Sequence, residues 1–241
     1  MEYEHLFTAR AKSYLSALDA YPSVLANEFM VAINLCALQH GQTLLTIPSS
    51  CERVDAYIPS ELAIKHIAFE TNKELSDLTH TAYCTFDSIL HNDNSVDTIL
   101  SLATLHHCTN DERARFYKEA MRLLRPGGRL IIGDVARGSD QDRWLNIFVH
   151  THNPLGHKGM FWSSDDMALL ESCGFSVTQS LQHYTWDFPD TSSMYDFVRK
   201  LFYIHQASDE TIHNGLRDYL HADFVNHSFQ WSLIYFIASR P

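Results

Sequence analysis

Apolar positions along the chain recur with two alternating periods. QTLLTI (42–47), LAIKHIAFE (62–70), SVDTILSLATL (95–105), GRLIIGDV (128–135), FSVTQSLQHY (175–184) and QWSLIYFIA (230–238) are short apolar runs that read as strands. Helical spacing separates them, and the alternation predicts an α/β protein with a mostly parallel sheet. DERARFYKEAMRLL (111–124) is the clearest helix, because Ala114, Tyr117, Ala120, Met121 and Leu124 recur at three- and four-residue intervals. Thr109 and Glu112 form a capping-box pattern before it, and Pro126-Gly127-Gly128 stops it and turns the chain into the next strand. Two further helices, at about 4–20 and 22–39, precede the first strand. An insertion at 185–229 carries helical patterns in SSMYDFVRKLFYI and DETIHNGLRDYL. Its position before the last strand fits a cover over a ligand pocket or a packed helical hairpin. No repeat, low-complexity tract or linker divides the chain, so residues 1–241 are read as one domain.

Composition narrows the partners. Eighteen Lys and Arg against 29 Asp and Glu leave a formal charge of −11, which argues against a phosphate-backbone binder, so no nucleic acid is expected. The apolar runs are too short to cross a bilayer, and MEYEHLFTARAKSYL lacks the basic-then-apolar order of a signal peptide; no membrane contact and a cytoplasmic location are expected. Cys36, Cys51, Cys84, Cys108 and Cys173 are scattered without a C-x-x-C pair, which points to buried thiols in a reducing compartment. Either a homodimer or a separate protein partner is compatible with this composition.

Taken together, NSVDTILSLATLHHC, YKEAMRLLRPGGRLIIGDV, LLESCGF and the terminal WSLIYFIA resemble the class I S-adenosylmethionine-dependent methyltransferases, especially the small-molecule type. The order of these blocks matches that family from about residue 20 onward. The resemblance implies a Rossmann-like, seven-stranded, mostly parallel sheet with helices on both faces and an antiparallel last strand. It also implies S-adenosylmethionine as cofactor, lying across the carboxyl ends of the first strands.

In that family the first strand ends in an acid followed by a glycine-rich loop, where backbone approaches the cofactor without an intervening Cβ. Here the segment is Thr46-Ile47-Pro48-Ser49-Ser50-Cys51-Glu52-Arg53, a degenerate form in which Thr46 replaces the acid and the glycines are absent. Pro48 and Ser49 keep the loop entry; Glu52 would repel the cofactor's carboxylate, and Arg53 would offset that by pairing with it. Glu70 ends the second strand where the family has the acid that accepts from both ribose hydroxyls. The position for the adenine amine falls on Thr85, with Asp87 as a substitute two residues on, and Leu102 completes the implied cofactor set.

His106 and His107 follow the fourth strand, beside the methyl-donor position implied by the resemblance, where an imidazole can serve as general base or as a structural or substrate contact. Asp134, ending the fifth strand, either orients substrate or caps its loop. His150, His152 and His157 in VHTHNPLGHKGMFW have a spacing that invites a metal reading, but no acidic or thiolate ligand accompanies them, and no metal is expected. Trp186, Phe188, Met194, Phe197, Phe202 and Tyr203 of the insertion form either an apolar substrate wall or core. Three functions remain open: methyl transfer to a small molecule, a non-catalytic relative serving as partner or ligand-binding subunit, and a repurposed enzyme using Cys51, Glu52 and nearby imidazoles without a methyl donor.

Overall fold

A computed structural model describes the backbone of residues 2–241, and the side chains of all of these except residues 2–7 and 50–52. The chain runs α1 (Glu2–Ala20), α2 (Ala26–Cys36), β1 (Thr43–Thr46), a 3-10 segment (Ser50–Tyr57), β2 (Lys65–Glu70), α3 (Lys73–Thr79), β3 (Ala82–Tyr83), β4 (Val96–Leu102), a 3-10 turn (Leu105–His107), α4 (Asn110–Leu123) and β5 (Leu124–Asp134). It continues through α5 (Asp140–Arg143), a π-helical stretch (Trp144–Val149), α6 (His150–His152), α7 (Asp166–Ser172), β6 (Ser176–Asp187), α8 (Thr191–Leu201), α9 (Asp209–Leu220) and β7 (Ser228–Ser239).

The seven strands form one sheet in the order β3-β2-β1-β4-β5-β7-β6. β1 through β5 pair in parallel, and β7 runs antiparallel to both β5 and β6. β1 and most of β4 are buried, as continuous apolar strands covered by helices on both faces must be. One face packs against α2 and the α8–α9 insertion through residues such as Phe29, Phe197, Phe202 and Leu216, while the other packs against α4 and α7 through Phe116, Tyr117 and Leu170.

Local departures from the sequence pattern shape the working edge of the sheet. The expected run 95–105 stops as a strand at Leu102; Ala103 then takes φ +46°, and a tight turn carries His106 back toward the interior. The run expected from residue 62 begins only at Lys65, because Ala63 at φ +48° closes a preceding 3-10 turn. On α4 the capping box is formed, with Thr109 accepting from the Glu112 amide and Glu112 accepting from the Thr109 amide. Its buried stripe is Arg113, Phe116, Tyr117, Ala120 and Leu123, a correction to the set read from apolar periodicity, which excluded an arginine. Among the described residues no helix is long and apolar enough to cross a membrane.

Candidate active site

A crevice opens at the carboxyl ends of the central strands, and its lining includes Pro48 after β1, Glu70 at the end of β2, Leu102 and His106 after β4, and Val135 after β5. This is where open parallel sheets seat ligands, since helix and loop termini diverge there. α1 contributes Arg10 and Tyr14, α2 contributes Glu28 and Phe29, and Trp186, Phe202 and Trp231 form an aromatic wall. α1 is held over the crevice by Ser13 donating to the Lys200 carbonyl at 2.9 Å and by Ala11 packing on Leu75. Tyr21, just beyond α1, donates to Asp196 at 2.8 Å and so ties the same end to α8.

The residues expected at the cofactor loop separate. Thr46 is buried and bonds His66 Nε2 at 2.8 Å, while His66 also pairs with Asp55, so this threonine stitches the 3-10 segment to β2 rather than lining the crevice. Arg53 pairs with Asp19 at the end of α1, which corrects the expectation that it awaits a cofactor carboxylate. Those two links hold the glycine-free segment in place. The Ser50 side chain, with those of Cys51 and Glu52, lies outside the described residues.

Glu70 does stand at the crevice, 1% exposed. Its Oε1 accepts from the amides of Thr71 (2.8 Å) and Asn72 (3.1 Å), and its Oε2 from Ser49 Oγ (2.9 Å). Burial pushes its pKa up while these donors hold it down. The Ser49 amide also stabilises the charged form, so Glu70 is held by donors from the loops after both β1 and β2. Thr85 donates to Asp87 at 2.8 Å, and Asp87 pairs with Arg115 at 3.1 Å on the surface; neither lines the crevice. That hydroxyl, followed by the arginine, keeps the Asp87 carboxyl below its usual range.

At the other side of the β1–β4 junction, Asp134 is fully buried. Its Oδ1 lies 2.7 Å from His106 Nδ1 and accepts the Val135 amide at 2.8 Å, while Oδ2 accepts the His106 amide at 3.0 Å. A carboxylate on Nδ1 fixes the proton there and leaves Nε2 as a lone-pair nitrogen. That Nε2 is buried and has no hydrogen-bond partner. His107 and His157 stand beside it, with ring centroids 4.1 and 5.5 Å from that of His106. Burial, then the neighbouring His106, lowers both of their pKa values well below the usual imidazole range. The cluster therefore differs from the expected His150, His152 and His157 set. Only His157 joins it; the His150 ring instead accepts the His157 amide at 3.0 Å, and His152 packs against Phe148.

Arg113 fixes this arrangement from below. It is 1% exposed, donates from Nε to the Leu105 carbonyl at 3.0 Å, pairs with Asp166 at 3.0 Å, donates to the Met160 carbonyl and lies 4.3 Å over the Trp162 ring. The Met160 amide donates in turn to the His106 carbonyl at 2.7 Å. One guanidinium thus locks the His106–His107 turn to the segment that carries His157. Of the insertion's aromatics, Trp186 and Phe202 reach the crevice, whereas Phe188, Met194 and Phe197 are core and Tyr203 stands outside the lining beside His205. Sequence reasoning passed over Arg10, Tyr14, Glu28 and Arg113; a lone arginine in an acidic first helix and one within an otherwise apolar helix stripe were the available signals.

The four cysteines among the described residues carry free thiols; Cys36, Cys84 and Cys108 are buried, and burial pushes each of those three up to about 12, which suits core packing rather than nucleophilic use.

The sheet order, the antiparallel last strand and the crevice at the strand ends together define the class I methyltransferase fold. The family model for the methyltransferase domain matches residues 36–132, which cover the strands around this site. A methyltransferase from Bacillus mycoides is 28% identical over 106 residues, covering 39% of this chain and 48% of the relative, so the match spans about half of the relative's length. Among solved structures, an S-adenosylmethionine-dependent methyltransferase from Thermotoga maritima superposes with a TM-score of 0.61 at 17% identity, over 99% of this chain and 100% of that one. A phosphoethanolamine N-methyltransferase from Haemonchus contortus, in complex with S-adenosylmethionine, gives 0.61 at 13% identity over 99% of this chain and 60% of that one. The chain thus has the class I methyltransferase fold, and its residues 36–132 are similar to the methyltransferase domain family.

Two outcomes test the energetics of this site. Arg113→Met is expected to lower unfolding stability by about 2 kcal/mol or more, because it removes the partner of the half-buried Asp166 carboxylate and the donors to two carbonyls; an unchanged denaturant midpoint contradicts the locking role. Glu28, buried and accepting from Tyr184 at 3.0 Å, is pushed up to about 7, chiefly by burial. The folded protein then keeps a proton that the unfolded chain releases above about pH 4.5, so stability falls between about 4.5 and 7 and levels off beyond. Glu28→Gln is expected to remove about 3 kcal/mol of that decline, and parallel pH profiles for the two proteins would contradict it.

Proposed function

We propose that this chain is an S-adenosylmethionine-dependent methyltransferase acting on a small-molecule acceptor with an apolar or aromatic body. The observation that supports this most strongly is a single crevice lined both by Glu70 and by His106 with its Asp134-oriented ring. Glu70, which lines the crevice at the end of β2, is the residue to hold the ribose hydroxyls, with Pro48 and residues 102–104 forming the adjoining wall. Bound there, S-adenosylmethionine supplies an electrophilic methyl group. Thr85 and Asp87 are not part of this site, and adenine selectivity falls to other groups.

The chain's own residues supply alignment and proton handling. Phe29, Trp186, Phe202 and Trp231 offer the acceptor an apolar face and exclude water, which favours a fixed orientation over diffusion. His106 Nε2, the lone-pair nitrogen of the tautomer that Asp134 selects at Nδ1, takes the acceptor's proton; His107 lies close enough to assist in placing it. α1 and the end of α8 border the crevice and limit its exposure to solvent. One domain, residues 1–241, is sufficient for this reading.

Calorimetric titration with S-adenosylmethionine and S-adenosylhomocysteine tests it. Micromolar binding of both is expected, weakened by about tenfold to a hundredfold in Glu70→Ala through loss of charge-assisted hydrogen bonds. Absence of binding to either ligand by a folded protein would overturn the methyltransferase reading.

A further inference from the structure

His106, His107 and His157 come from two separate segments, and each offers a ring nitrogen such that the three nitrogens lie within 4.8 Å of one another. The ring centroids form a triangle with sides of 4.1, 5.5 and 5.1 Å. General-base chemistry needs one imidazole; three facing the same point need another account. Packing alone does not supply it, because a core histidine ordinarily satisfies both ring nitrogens, whereas His106 Nε2 is buried with no hydrogen-bond partner. An unpaired buried nitrogen is disfavoured in the folded state.

Outer contacts are those of a ligand set. His106 turns its Nδ1 onto Asp134 at 2.7 Å, and the His157 Nδ1 lies 3.4 Å from Asn146 Oδ1. Metal-binding imidazoles characteristically give their second nitrogen to a carboxylate or carbonyl oxygen in this way, which fixes both tautomer and ring direction. The carrier segments are also braced against each other: Asn146 accepts the Gly159 amide at 2.7 Å, and the Met160 amide bonds the His106 carbonyl. Gly159 passes so close that a Cβ there would stand 3.0 Å from His106 Cδ2 and 2.5 Å from the Phe161 ring. Asp134, Glu28 and Glu70 place three carboxyl groups in or beside the crevice against the single guanidinium of Arg10, so added positive charge is tolerated.

We infer that His106, His107 and His157 bind one divalent transition-metal ion of the zinc class, with a coordination position open to the crevice. Nitrogens at about 2.0–2.1 Å from a tetrahedral ion stand about 3.3 Å apart, a distance that modest ring rotations reach from the present arrangement. Three neutral imidazoles with a free position is the pattern of a site that binds an exogenous ligand rather than a structural one. The ligand class is an acceptor that coordinates through sulfur, nitrogen or oxygen. This inference stands apart from methyl transfer; where both hold, the ion occupies His106 Nε2 and lowers the acceptor's pKa in place of that nitrogen.

Chelator-treated full-length protein titrated with Zn²⁺ by calorimetry, and with Co²⁺ by visible absorption, tests it without any methyl donor present. One ion per chain is expected, with intense Co²⁺ bands of four- or five-coordinate geometry. His107→Gln and His157→Gln should each weaken binding by about a hundredfold, and Asp134→Asn by about ten- to a hundredfold, while His152→Ala leaves it unchanged. Circular dichroism confirms that each variant is folded. Substoichiometric uptake by the parent protein, or uptake indifferent to the His107 and His157 substitutions in folded variants, would overturn the assignment. Since the readout is ion binding alone, its failure is separate from failure to bind S-adenosylmethionine.

Discussion

The buried contact between Asp134 and His106 is the constraint on which the site depends. Asp134 ends β5 in a fully buried position and is satisfied only by groups from the two strand ends: both His106 donors and the Val135 amide. Taking any one of those away would leave a buried acceptor short of a donor, at a cost of about 1–3 kcal/mol. The same contact sets the tautomer of His106 and therefore what faces the crevice. A structural necessity and a chemical one are met by the same carboxylate, and Arg113 extends the constraint to the His157 segment.

On the opposite side of the crevice the glycine-free turn after β1 is explained by what holds it. Thr46 and Asp55 share His66, and Arg53 reaches Asp19, so side chains occupy the roles that a bare backbone would otherwise leave to a bound ligand. Glu70 is ordered by Ser49 and the amides of Thr71 and Asn72. α1 and the end of α8 border these groups. Hydrogen-bonded side chains thus stand at both poles of the crevice, with the aromatic wall between them.

Much of the fold was legible because long strands buried on both faces leave an unmistakable apolar record, as in VDTILSL and GRLIIGD, and because Thr109 and Glu112 announce a helix start. Glu70, Pro48, Leu102 and the His106–His107 pair were legible because their place at strand ends follows from the sheet itself. What periodicity could not supply was contact across distant segments. His157 joins His106 through a loop whose path depends on Arg113 and Asn146, so local spacing grouped His157 with His150 and His152 rather than with His106 and His107. Arg113 was missed because burial of a guanidinium requires Asp166, two carbonyls and Trp162, none of them near it in sequence. Thr85 and Asp87 followed from alignment of a family position, but β3 is only Ala82–Tyr83, and the chain beyond it turns outward to Arg115.

The most direct measurement is a crystal structure of the protein grown with saturating S-adenosylhomocysteine. The account predicts ligand density in the crevice, with the ribose hydroxyls on Glu70 and the homocysteine sulfur directed toward His106. A crevice without ligand density, or a ligand bound elsewhere with Glu70 uninvolved, would contradict it.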